Sequence, residues 1–436
     1  MNYLQTLDYL FSKLPLFSRV GPAAYKKDLT NTLLLCEVLG NPQDSLRTVH
    51  VAGTNGKGSV SHMLAAIFQL AGYKTGLYTS PHLYDFRERI KINGEMIGEQ
   101  QVVDFTKNIL PTIEKIEPSF FELTVAMALD HFKKENVDIA IIETGLGGRL
   151  DSTNIITPDL SVITNIDWDH MQLLGDSLEK IAFEKAGIIK AGIPVVIGES
   201  SSTTLPVFQQ KAQAENTSLT IASQERTIKQ YEWKDDYLWV TVAQQKDSIL
   251  SLKLDLPGIY QTKNVLTVLA AIDQLQKKGW RLHQDHIAKG LSSTRLLTGL
   301  HGRWQKIASS PTVIIDVAHN EAGIGQLINQ LQQTPYDHLH IVLGVVKDKS
   351  ITPMLSLLPK EATYYFTKAS LPRALPETEL RSLGEQAGCV GEAFAHVNQA
   401  LTKARSAAGK HDLIVVCGSI FLAAEVNLHE GNVPLD

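Results

Sequence analysis

The sequence predicts an α/β protein: a doubly wound sheet domain with a small antiparallel appendage, followed by a second α/β series. Apolar runs alternate with amphipathic segments along most of the 436 residues. Several of these runs are apolar without interruption, as in strands that are covered on both faces of a parallel sheet. Near residues 217–256 the pattern changes to that of short alternating strands, which indicates the appendage.

The first α/β series begins after about 45 residues. Its first strand ends in a glycine-rich turn, and a segment with apolar residues at helical spacing follows directly. For the later helix, Ser177 is a good N-cap and Gly192 a good stop. In chain order, the predicted strands are 48–53, 74–79, 137–145, 160–167 and 193–198, and the predicted helices are 58–73 and 177–192.

The appendage and the second series complete the chain. The runs at 219–223, 237–243 and 248–256 are the expected strands of the appendage, and a helix is predicted over 260–279. Residues 292–302 are the expected hinge, with a site in the cleft between two domains. The second series begins near residue 301, and its predicted strands are 312–318, 339–345, 362–367 and 412–419.

Composition excludes several classes of protein. The net charge of −5 argues against a general nucleic-acid binder, because no excess of cations exists to neutralise phosphates. Three widely spaced cysteines, Cys36, Cys389 and Cys417, indicate a reducing compartment without disulfides. The N-terminus lacks the pattern of a signal peptide, and no apolar stretch reaches the roughly 20 residues of a membrane span. We expect a cytoplasmic protein with no membrane or nucleic-acid partner.

The segment Val51–Val60, VAGTNGKGSV, resembles a phosphate-binding loop with altered spacing. It lies between a predicted strand and a predicted helix, where backbone N–H groups and the helix dipole favour phosphate oxygens. Lys57 would bridge the β- and γ-phosphates of a nucleotide, and Ser59 would lie near a Mg²⁺ ion. The alternative is a glycine-rich turn with an exposed lysine.

Acidic residues follow two further strands at the edge where ligands collect in open α/β sheets. Glu143 ends one strand, and its carboxylate could hold Mg²⁺ against phosphate oxygens. Asp167, Asp169 and His170 follow the next strand and could ligate a second Mg²⁺. The alternatives are a solvated or helix-capping glutamate and a hydrogen-bonded loop histidine.

Lys185 lies in the predicted helix 177–192. A desolvated lysine can lose its proton and react with CO₂, which gives a carbamate that acts like a carboxylate. A lysine on the helix surface is the alternative.

A polar loop over residues 78–94 follows the strand at 74–79. Ser80, at the end of that strand, is directed towards the phosphate edge. Arg87, Arg89 and Lys91 alternate along the loop. They form either a solvated hairpin or a cationic loop that reaches towards an anionic substrate in the cleft.

In the second series Asp316 ends a strand, like an acidic residue that bonds a ribose hydroxyl. His319 and Asn320 open the helix that follows, and Arg303 could reach nucleotide phosphates. The alternatives are Asp316 as an N-cap and Arg303 as a surface cation.

Together these strings resemble the folate branch of the Mur ligase family, the folylpolyglutamate and dihydrofolate synthases. The resemblance runs nearly end to end, in an ordered set that is highly specific. The set comprises G-T-N-G-K-G-S, T-S-P-H-L with R-E-R-I, E-T-G-L-G-G-R-L-D-S-T-N, D-H with I-A-x-E-K-A-G-I-I-K, H-G-R, D-x-A-H-N and L-P-R-A-L-P-E. One departure is Val317, where many members have glycine; the Asp and His of the motif are retained.

The resemblance implies a P-loop-type, ATP-binding ligase domain over residues 1–296 and a C-terminal Rossmann-like α/β domain over 297–436. It also implies roles for individual residues. The nucleotide-binding set is Thr54, Asn55, Gly56, Lys57, Gly58, Ser59, Val60, Asn264, Arg303, Asp316 and His319. The Mg²⁺ ligands are Ser59, Ser80, Glu143 and His170, and the catalytic set is Lys57, His170 and Lys185, with Lys185 carboxylated. The pterin pocket is lined by Phe121, Glu122, Arg149, Leu150 and Asp151, and the loop 80–94 lies near the folate.

The activity implied is ATP-dependent addition of L-glutamate to the carboxylate of a folate, through an acyl phosphate shielded from water by domain closure. Dihydropteroate is a second candidate acceptor. Two Mg²⁺ ions and a monomer are expected, and a monovalent cation is a further candidate. A cell-wall ligase is disfavoured because such ligases carry an extra N-terminal domain of roughly 100 residues. A nucleotide-gated binding protein without ligase activity is the other alternative.

Overall fold

The computed structural model describes residues 1–21, 26, 28–244, 249–347 and 351–428. The chain forms two compact units. The first unit comprises Met1–Asp255 and Tyr260–Leu300, and the second comprises Leu256–Ile259 and His301–Asp436.

Eight strands among the described residues of the first unit form one sheet. They are β1 (Thr48–Ala52), β2 (Thr75–Tyr78), β3 (Ile90–Ile92), β4 (Glu95–Met96), β5 (Ile139–Glu143), β6 (Leu160–Ile163), β7 (Val195–Ile197) and β8 (Leu219–Ile221). Their order is β4-β3-β2-β5-β1-β6-β7-β8. The pairs β2–β3 and β3–β4 are antiparallel, and the other pairs are parallel. Every residue of β1, β5 and β6 is buried, which confirms for β5 and β6 the prediction from their continuous apolar runs.

The helices of the first unit, in chain order, are α1 (Tyr3–Lys13), α2 (Phe17–Val20), α3 (Thr30–Val38), α4 (Lys57–Leu70), α5 (Glu99–Ile116), α6 (Phe120–Lys134), α7 (Met171–Leu174), α8 (Leu178–Ala186), α9 (Leu205–Ala214), α10 (Ala222–Glu225), α11 (Gln261–Lys277), α12 (Gln284–Ser292) and α13 (Thr294–Thr298). Short 3₁₀ helices span Pro42–Ser45, Phe86–Arg89 and Ser152–Ile155. Helix α4 is buried along most of its length, between the sheet and helices α11, α12 and α13. No helix in the described ranges has both the length and the apolar character needed to cross a membrane.

Helix α8 begins as predicted but ends early. The Ser177 side chain caps it by accepting from the N–H of Lys180. The predicted stop at Gly192 is wrong, because the helix ends at Ala186. The N–H of Arg149 donates to the Glu184 carbonyl at 2.7 Å, and a Cβ on Gly187 would overlap the Arg149 backbone. The close approach of this neighbouring segment ends the helix.

The appendage is a three-stranded antiparallel sheet of β9 (Arg226–Lys234), β10 (Tyr237–Gln244) and β11 (Ile249–Leu254). The prediction that residues 219–223 belong to it is wrong. Helix α9 separates β7 from β8, and this crossover places β8 parallel to β7 in the main sheet. The strand that replaces it, β9, is polar and largely exposed, so it lacks the apolar alternation that would have predicted it.

The second unit is another α/β sheet. Its strands are β12 (Gln305–Ser309), β13 (Thr312–Ile315), β14 (Leu339–Leu343), β15 (Thr363–Phe366), β16 (Gly391–Ala393) and β17 (Leu413–Cys417). Its helices are α14 (Glu321–Leu331), α15 (Ile351–Leu357), α16 (Glu377–Gln386), α17 (Val397–Ala407) and α18 (Ile420–Ala423). The order is β12-β13-β17-β14-β15-β16, and among these described strands only β12 is antiparallel to its neighbour. The four predicted strands are confirmed.

Candidate active site

Four neighbouring strands of the first unit bring polar groups to one edge of the sheet. Val51 of β1 is in register with Glu143 at the end of β5, so the glycine loop and this carboxylate leave the sheet side by side. The Ser80 N–H, just beyond β2, donates to Oε2 of Glu143 at 3.1 Å. Glu143 is only 4% exposed, so the alternative of a solvated strand-end glutamate is wrong.

The glycine loop is held by the segment that follows β6. Backbone angles of φ +146° at Gly53 and φ +83° at Gly56 favour glycine, and a Cβ on Gly53 would overlap the Thr164 hydroxyl. That hydroxyl donates to the Asn55 carbonyl at 2.5 Å, and the Asn55 N–H donates to Oδ1 of Asn165 at 2.9 Å. The altered glycine spacing therefore belongs to an ordered turn.

Two lysines converge at the base of this loop. Nζ of Lys57 donates to the carbonyls of Gly53 and Thr54 at 2.9 and 3.1 Å. Nζ of Lys185 donates to the same Gly53 carbonyl at 2.8 Å. Because Lys185 is only 4% exposed, its placement on the helix surface is excluded. The Lys57 amine adds positive potential where the helix dipole already favours an anion.

Helix α4 starts within the loop and buries its first residues. Gly58, Ser59 and Val60 are all buried, and the Val60 N–H donates to the Gly56 carbonyl at 2.9 Å. Oγ of Ser59 accepts from Nε2 of Gln261 at 3.1 Å. Gln261 lies in no recognisable sequence motif; its position three residues before Asn264 on one helix face was the available signal.

His170 lies beyond β6 in a left-handed backbone conformation, with φ +49°. Its N–H donates to Oδ1 of Asp169 at 2.9 Å, and its ring is edge-on to Phe17 at 5.8 Å between centroids. Asp167 accepts from the Trp168 N–H and donates its own N–H to the Thr54 hydroxyl at 3.0 Å. These contacts do not themselves join His170 to Glu143, so a metal role for His170 stays a prediction.

The donor set at this edge fits Mg²⁺. The ion prefers oxygen ligands and binds through one or two carboxylates together with phosphate oxygens and water. The Glu143 carboxylate and the Ser59 and Ser80 hydroxyls supply oxygens of this kind. No group of three or more His, Cys, Asp or Glu side chains suited to a metal occurs in the described part of the chain. A magnesium ion here would therefore depend on nucleotide phosphates and water for the remaining ligands.

Phe121 and Glu122, predicted to line a pterin pocket, lie in the first turn of α6. A Cβ on Gly145 would overlap the Phe121 ring, so the ring packs on the loop after β5. Oε2 of Glu122 accepts from the Ser119 N–H at 2.6 Å in a capping box. Oε1 of Glu122 is buried without a hydrogen-bond partner among the described residues.

The segment Arg149–Asp151 separates into an exposed and a buried end. Arg149 is exposed, pairs with Glu184 at 2.8 Å, and lies over the Phe183 ring at 5.7 Å. Leu150 is half-buried. Asp151 is buried, and its carboxylate accepts from the N–H groups of Leu146 and Thr153. Burial raises the pKa of Asp151, and these hydrogen bonds oppose the rise. Asp151 thus shapes the loop through backbone contacts.

The basic residues of the loop 78–94 are structural. Arg89 is buried, its Nε donates to Nδ1 of His82 at 2.8 Å, and burial lowers its pKa. Lys91 is buried too, and its Nζ donates to the Thr298 carbonyl at 2.7 Å. Arg87 pairs with Asp85 at 2.7 Å. The solvated-hairpin alternative is therefore wrong for Arg89 and Lys91.

In the second unit, Asp316 is buried at the end of β13. Its oxygens accept from the N–H groups of Trp304 and Ala318, both at 2.9 Å. The N-cap of α14 is Asn320, so the alternative of Asp316 as an N-cap is wrong. Nδ1 of His319 lies 2.9 Å from the Val317 carbonyl, and Nη1 of Arg303 donates to the Gly302 carbonyl at 3.3 Å.

Two family models match this chain: the Mur ligase middle domain over residues 51–272 and the glutamate ligase domain of Mur ligases over residues 302–420. A folylpolyglutamate synthase from Lacticaseibacillus casei is 33% identical over 98% of both chains. A dihydrofolate synthase/folylpolyglutamate synthase from Escherichia coli is 35% identical over 86% of this chain and 85% of its own length.

The fold is similar to that of a solved folylpolyglutamate synthase from Mycobacterium tuberculosis in complex with ADP. The TM-score is 0.87 at 29% identity, over 97% of this chain and 96% of that one. Matches of this extent agree with the glycine loop, the adjacent carboxylate and the two α/β sheets. The chain belongs to the Mur ligase family, in its branch of folylpolyglutamate and dihydrofolate synthases.

Proposed function

We propose that this chain is an ATP-dependent ligase that joins L-glutamate to the carboxylate of a folate and releases ADP and phosphate. One observation carries the proposal. The Gly53–Ser59 turn opens the buried helix α4, and the register of β1 with β5 places Glu143 beside it at the same sheet edge. This arrangement suits a magnesium-bound triphosphate, and family membership supplies the reaction type.

The chemistry begins with an unreactive carboxylate, which ATP converts into an acyl phosphate. The Lys57 ammonium neutralises charge that develops on the migrating phosphoryl group, a mainly electrostatic task. Ser59, Ser80, Glu143 and His170 would hold Mg²⁺, which would supply further charge neutralisation on the phosphates. The amine of glutamate then attacks the acyl carbon and a tetrahedral intermediate forms. The bond from carbon to the phosphate oxygen breaks, phosphate leaves with the electron pair, and the nitrogen gives up a proton to phosphate or water.

Several finer points are part of the proposal. The nucleotide is bound by the loop residues Thr54–Val60 together with Asn264, Arg303, Asp316 and His319. Lys185 is carboxylated, and the pterin is bound by Phe121, Glu122 and Arg149–Asp151. The ligase domain comprises residues 1–296 without Leu256–Ile259, which belong to the second unit, and the C-terminal domain spans 297–436. The proposal also includes two Mg²⁺ ions, a monovalent cation and dihydropteroate as a second acceptor. It describes the protein as a monomer in the cytoplasm.

The test is an ADP-release assay with tetrahydrofolate, dihydropteroate and a UDP-sugar acceptor side by side, each with and without L-glutamate. We expect ADP release that requires both L-glutamate and a pterin acceptor. Release only with a UDP-sugar acceptor would identify a cell-wall ligase. ADP binding without turnover on any acceptor would identify a nucleotide-gated binding protein.

A Lys57→Ala variant tests the assigned site within the same assay. We expect turnover to fall at least ~100-fold, because removing one preorganised charge-stabilising group has effects of this size. Lys57 is half-buried, so the melting temperature should change little. The matched control is Lys180→Ala, an exposed lysine paired with Asp176, which should retain wild-type turnover. Equal activity of the two variants would contradict the role of Lys57.

A further inference from the structure

Two buried amides on the first turn of α11 form a hydrogen-bonded chain that ends at the glycine loop. Nδ2 of Asn264 donates to Oε1 of Gln261 at 2.7 Å, and Nε2 of Gln261 donates to Oγ of Ser59 at 3.1 Å. Gln261 is 0% exposed, and Ser59 and Asn264 are buried as well. Both heavy polar atoms of the Gln261 amide therefore have partners within this chain.

Both amides have the same orientation along this chain of hydrogen bonds. Oδ1 of Asn264 lies against the Gly56 turn, where a Cβ would overlap it, and Nδ2 faces Gln261. Oε1 of Gln261 then accepts, and its Nε2 must face Ser59. Because an amide N–H only donates, Oγ of Ser59 accepts through one of its two lone pairs. Its other lone pair and its proton are left for other partners.

We propose that Gln261 is a positioning residue, which orients the Ser59 hydroxyl so that its remaining lone pair faces Mg²⁺ bound with the nucleotide. The inference rests on the proposed function, since it requires a Mg²⁺–nucleotide complex in the loop. Gln261 acts through Ser59 and not by contact with the nucleotide. The result is tighter binding of the nucleotide when Mg²⁺ is present, with little effect on the metal-free nucleotide.

A purely structural role is the competing explanation, because a buried glutamine also joins α11 to α4. The chain offers a matched control on the same helix. Gln274 is also buried, and its Nε2 donates to the Thr220 hydroxyl at the same distance of 3.1 Å. Gln274→Met therefore removes an equivalent amide–hydroxyl bond from α11, away from the loop.

The experiment measures ADP binding by calorimetry, with Mg²⁺ and with EDTA, for the wild type, Gln261→Met and Gln274→Met. We expect the Mg²⁺-dependent gain in ADP affinity to fall about fivefold or more in Gln261→Met, the effect of one hydrogen bond. Its affinity in EDTA should stay within about twofold of the wild type. Gln274→Met should keep both affinities, while both variants lower the melting temperature similarly.

A double-mutant cycle then asks whether Gln261 acts through Ser59. Ser59→Ala should lower the Mg²⁺-dependent gain by itself, and Gln261→Met should cause no further loss in the Ser59→Ala background. If Gln261→Met does not fold, Gln261→Asn replaces it, since its shorter amide stays polar but cannot reach Oγ of Ser59.

Three results would overturn the inference: an equal loss of affinity with and without Mg²⁺, losses that add in the double variant, or no loss at all in Gln261→Met. The failure of the proposed function looks different. In that case the wild type itself would bind ADP no more tightly with Mg²⁺ than with EDTA, and both proposals would fall. A Mg²⁺-dependent wild type with an unaffected Gln261→Met variant would overturn only the role of Gln261.

Discussion

His50 sits in the middle of β1, fully buried, beneath the glycine loop. Its Nε2 lies 2.8 Å from the Thr153 hydroxyl, whose own proton goes to Oδ1 of Asp151 at 2.5 Å. Nε2 of His50 therefore carries the proton and donates. Nδ1 is buried with no hydrogen-bond partner among the described residues. Burial, helped by the charge of Lys190, lowers the pKa of His50 to about 3.

This neutral histidine predicts a loss of stability in acid. The unfolded chain binds a proton on His50 near pH 6.5, whereas the folded chain resists protonation until about pH 3. The free energy of unfolding therefore falls as the pH drops from 6.5 towards 3, by about 1.4 kcal/mol per pH unit at most. We expect urea unfolding to show a smaller fall in the free energy of unfolding for His50→Asn than for the wild type between pH 5.5 and 4.5. The difference should be about 1.4 kcal/mol.

The control for this prediction is His411→Asn, which changes an exposed histidine. Its stability should follow the pH dependence of the wild type. Parallel curves for the wild type and His50→Asn would mean that His50 is protonated in the folded chain, against the burial of its Nδ1.

At the residue scale, sequence could predict the loop and Glu143 because both depend on local pattern and on strand ends that share one edge. It could not separate contact residues from supporting ones. Lys91 and Asp151 resemble substrate-binding residues in the sequence, yet the structure ties them to backbone groups. Gln261 and Ser59 are 202 residues apart, so only the fold reveals their hydrogen bond.

Among the elements, helix α4 is flanked by two glycines with nearly equal φ angles. Gly56 at its N-cap has φ +83°, and Gly72, just beyond its end, has φ +86°. Their surroundings differ. A Cβ on Gly56 would overlap Oδ1 of Asn264, whereas a Cβ on Gly72 would have no atom within 4 Å. An alanine at Gly72 therefore adds backbone strain alone, whereas an alanine at Gly56 adds backbone strain and a steric overlap.

Gly72→Ala should lower the free energy of unfolding by about 1 kcal/mol, the cost of a left-handed alanine, and leave ADP affinity unchanged. Gly56→Ala carries the same strain and also displaces the Asn264 amide from the loop. We expect ADP affinity in the presence of Mg²⁺ to fall at least about tenfold. Calorimetric titration with ADP and thermal unfolding measure the two effects. Equal affinities in the two variants would show that the loop tolerates a displaced Asn264.

Some elements could not be assigned from the hydrophobic pattern of the sequence. Uninterrupted apolar runs predicted β5 and β6 because strands covered on both faces need them. β8 was assigned to the wrong sheet and β9 was not predicted, for opposite reasons. The short apolar run of β8 fits either sheet, and its place depends on the crossover through α9. β9 is stabilised by pairing with β10 while most of its side chains face water.

For the whole molecule, the division into units depends on contacts that are distant in sequence. Leu256–Ile259 belong to the second unit, although residues of the first unit flank them on both sides. The Ile259 N–H donates to Oε1 of Gln330 at 2.6 Å, within the second unit. A domain boundary drawn at one point of the sequence cannot include such a segment, because only the folded chain brings Ile259 to Gln330.

Asp255, the last residue before this segment, lowers the stability of the protein at neutral pH. One of its oxygens, Oδ2, accepts from the Arg295 N–H at 2.6 Å. Oδ1 is buried without a hydrogen-bond partner in the described residues. Burial raises the pKa of Asp255 to about 6. The folded chain thus favours the protonated acid, and the stabilisation present below pH 3.8 is lost as the pH rises through 6.

Asp255→Asn should therefore stabilise the protein at pH 7.5 by roughly 2 kcal/mol, because a neutral amide keeps an acceptor for the Arg295 N–H without a buried charge. The gain should shrink as the pH falls towards 4.5, where the wild-type carboxyl is itself protonated in the folded state. Urea unfolding at both pH values measures this gain in the free energy of unfolding.

Asp285→Asn is the control, because Asp285 is an exposed aspartate in the first turn of α12. Its free energy of unfolding should not rise. If Asp255→Asn were no more stable than the wild type at pH 7.5, the ionised carboxylate would have to find solvent or a cation where the chain leaves the first unit.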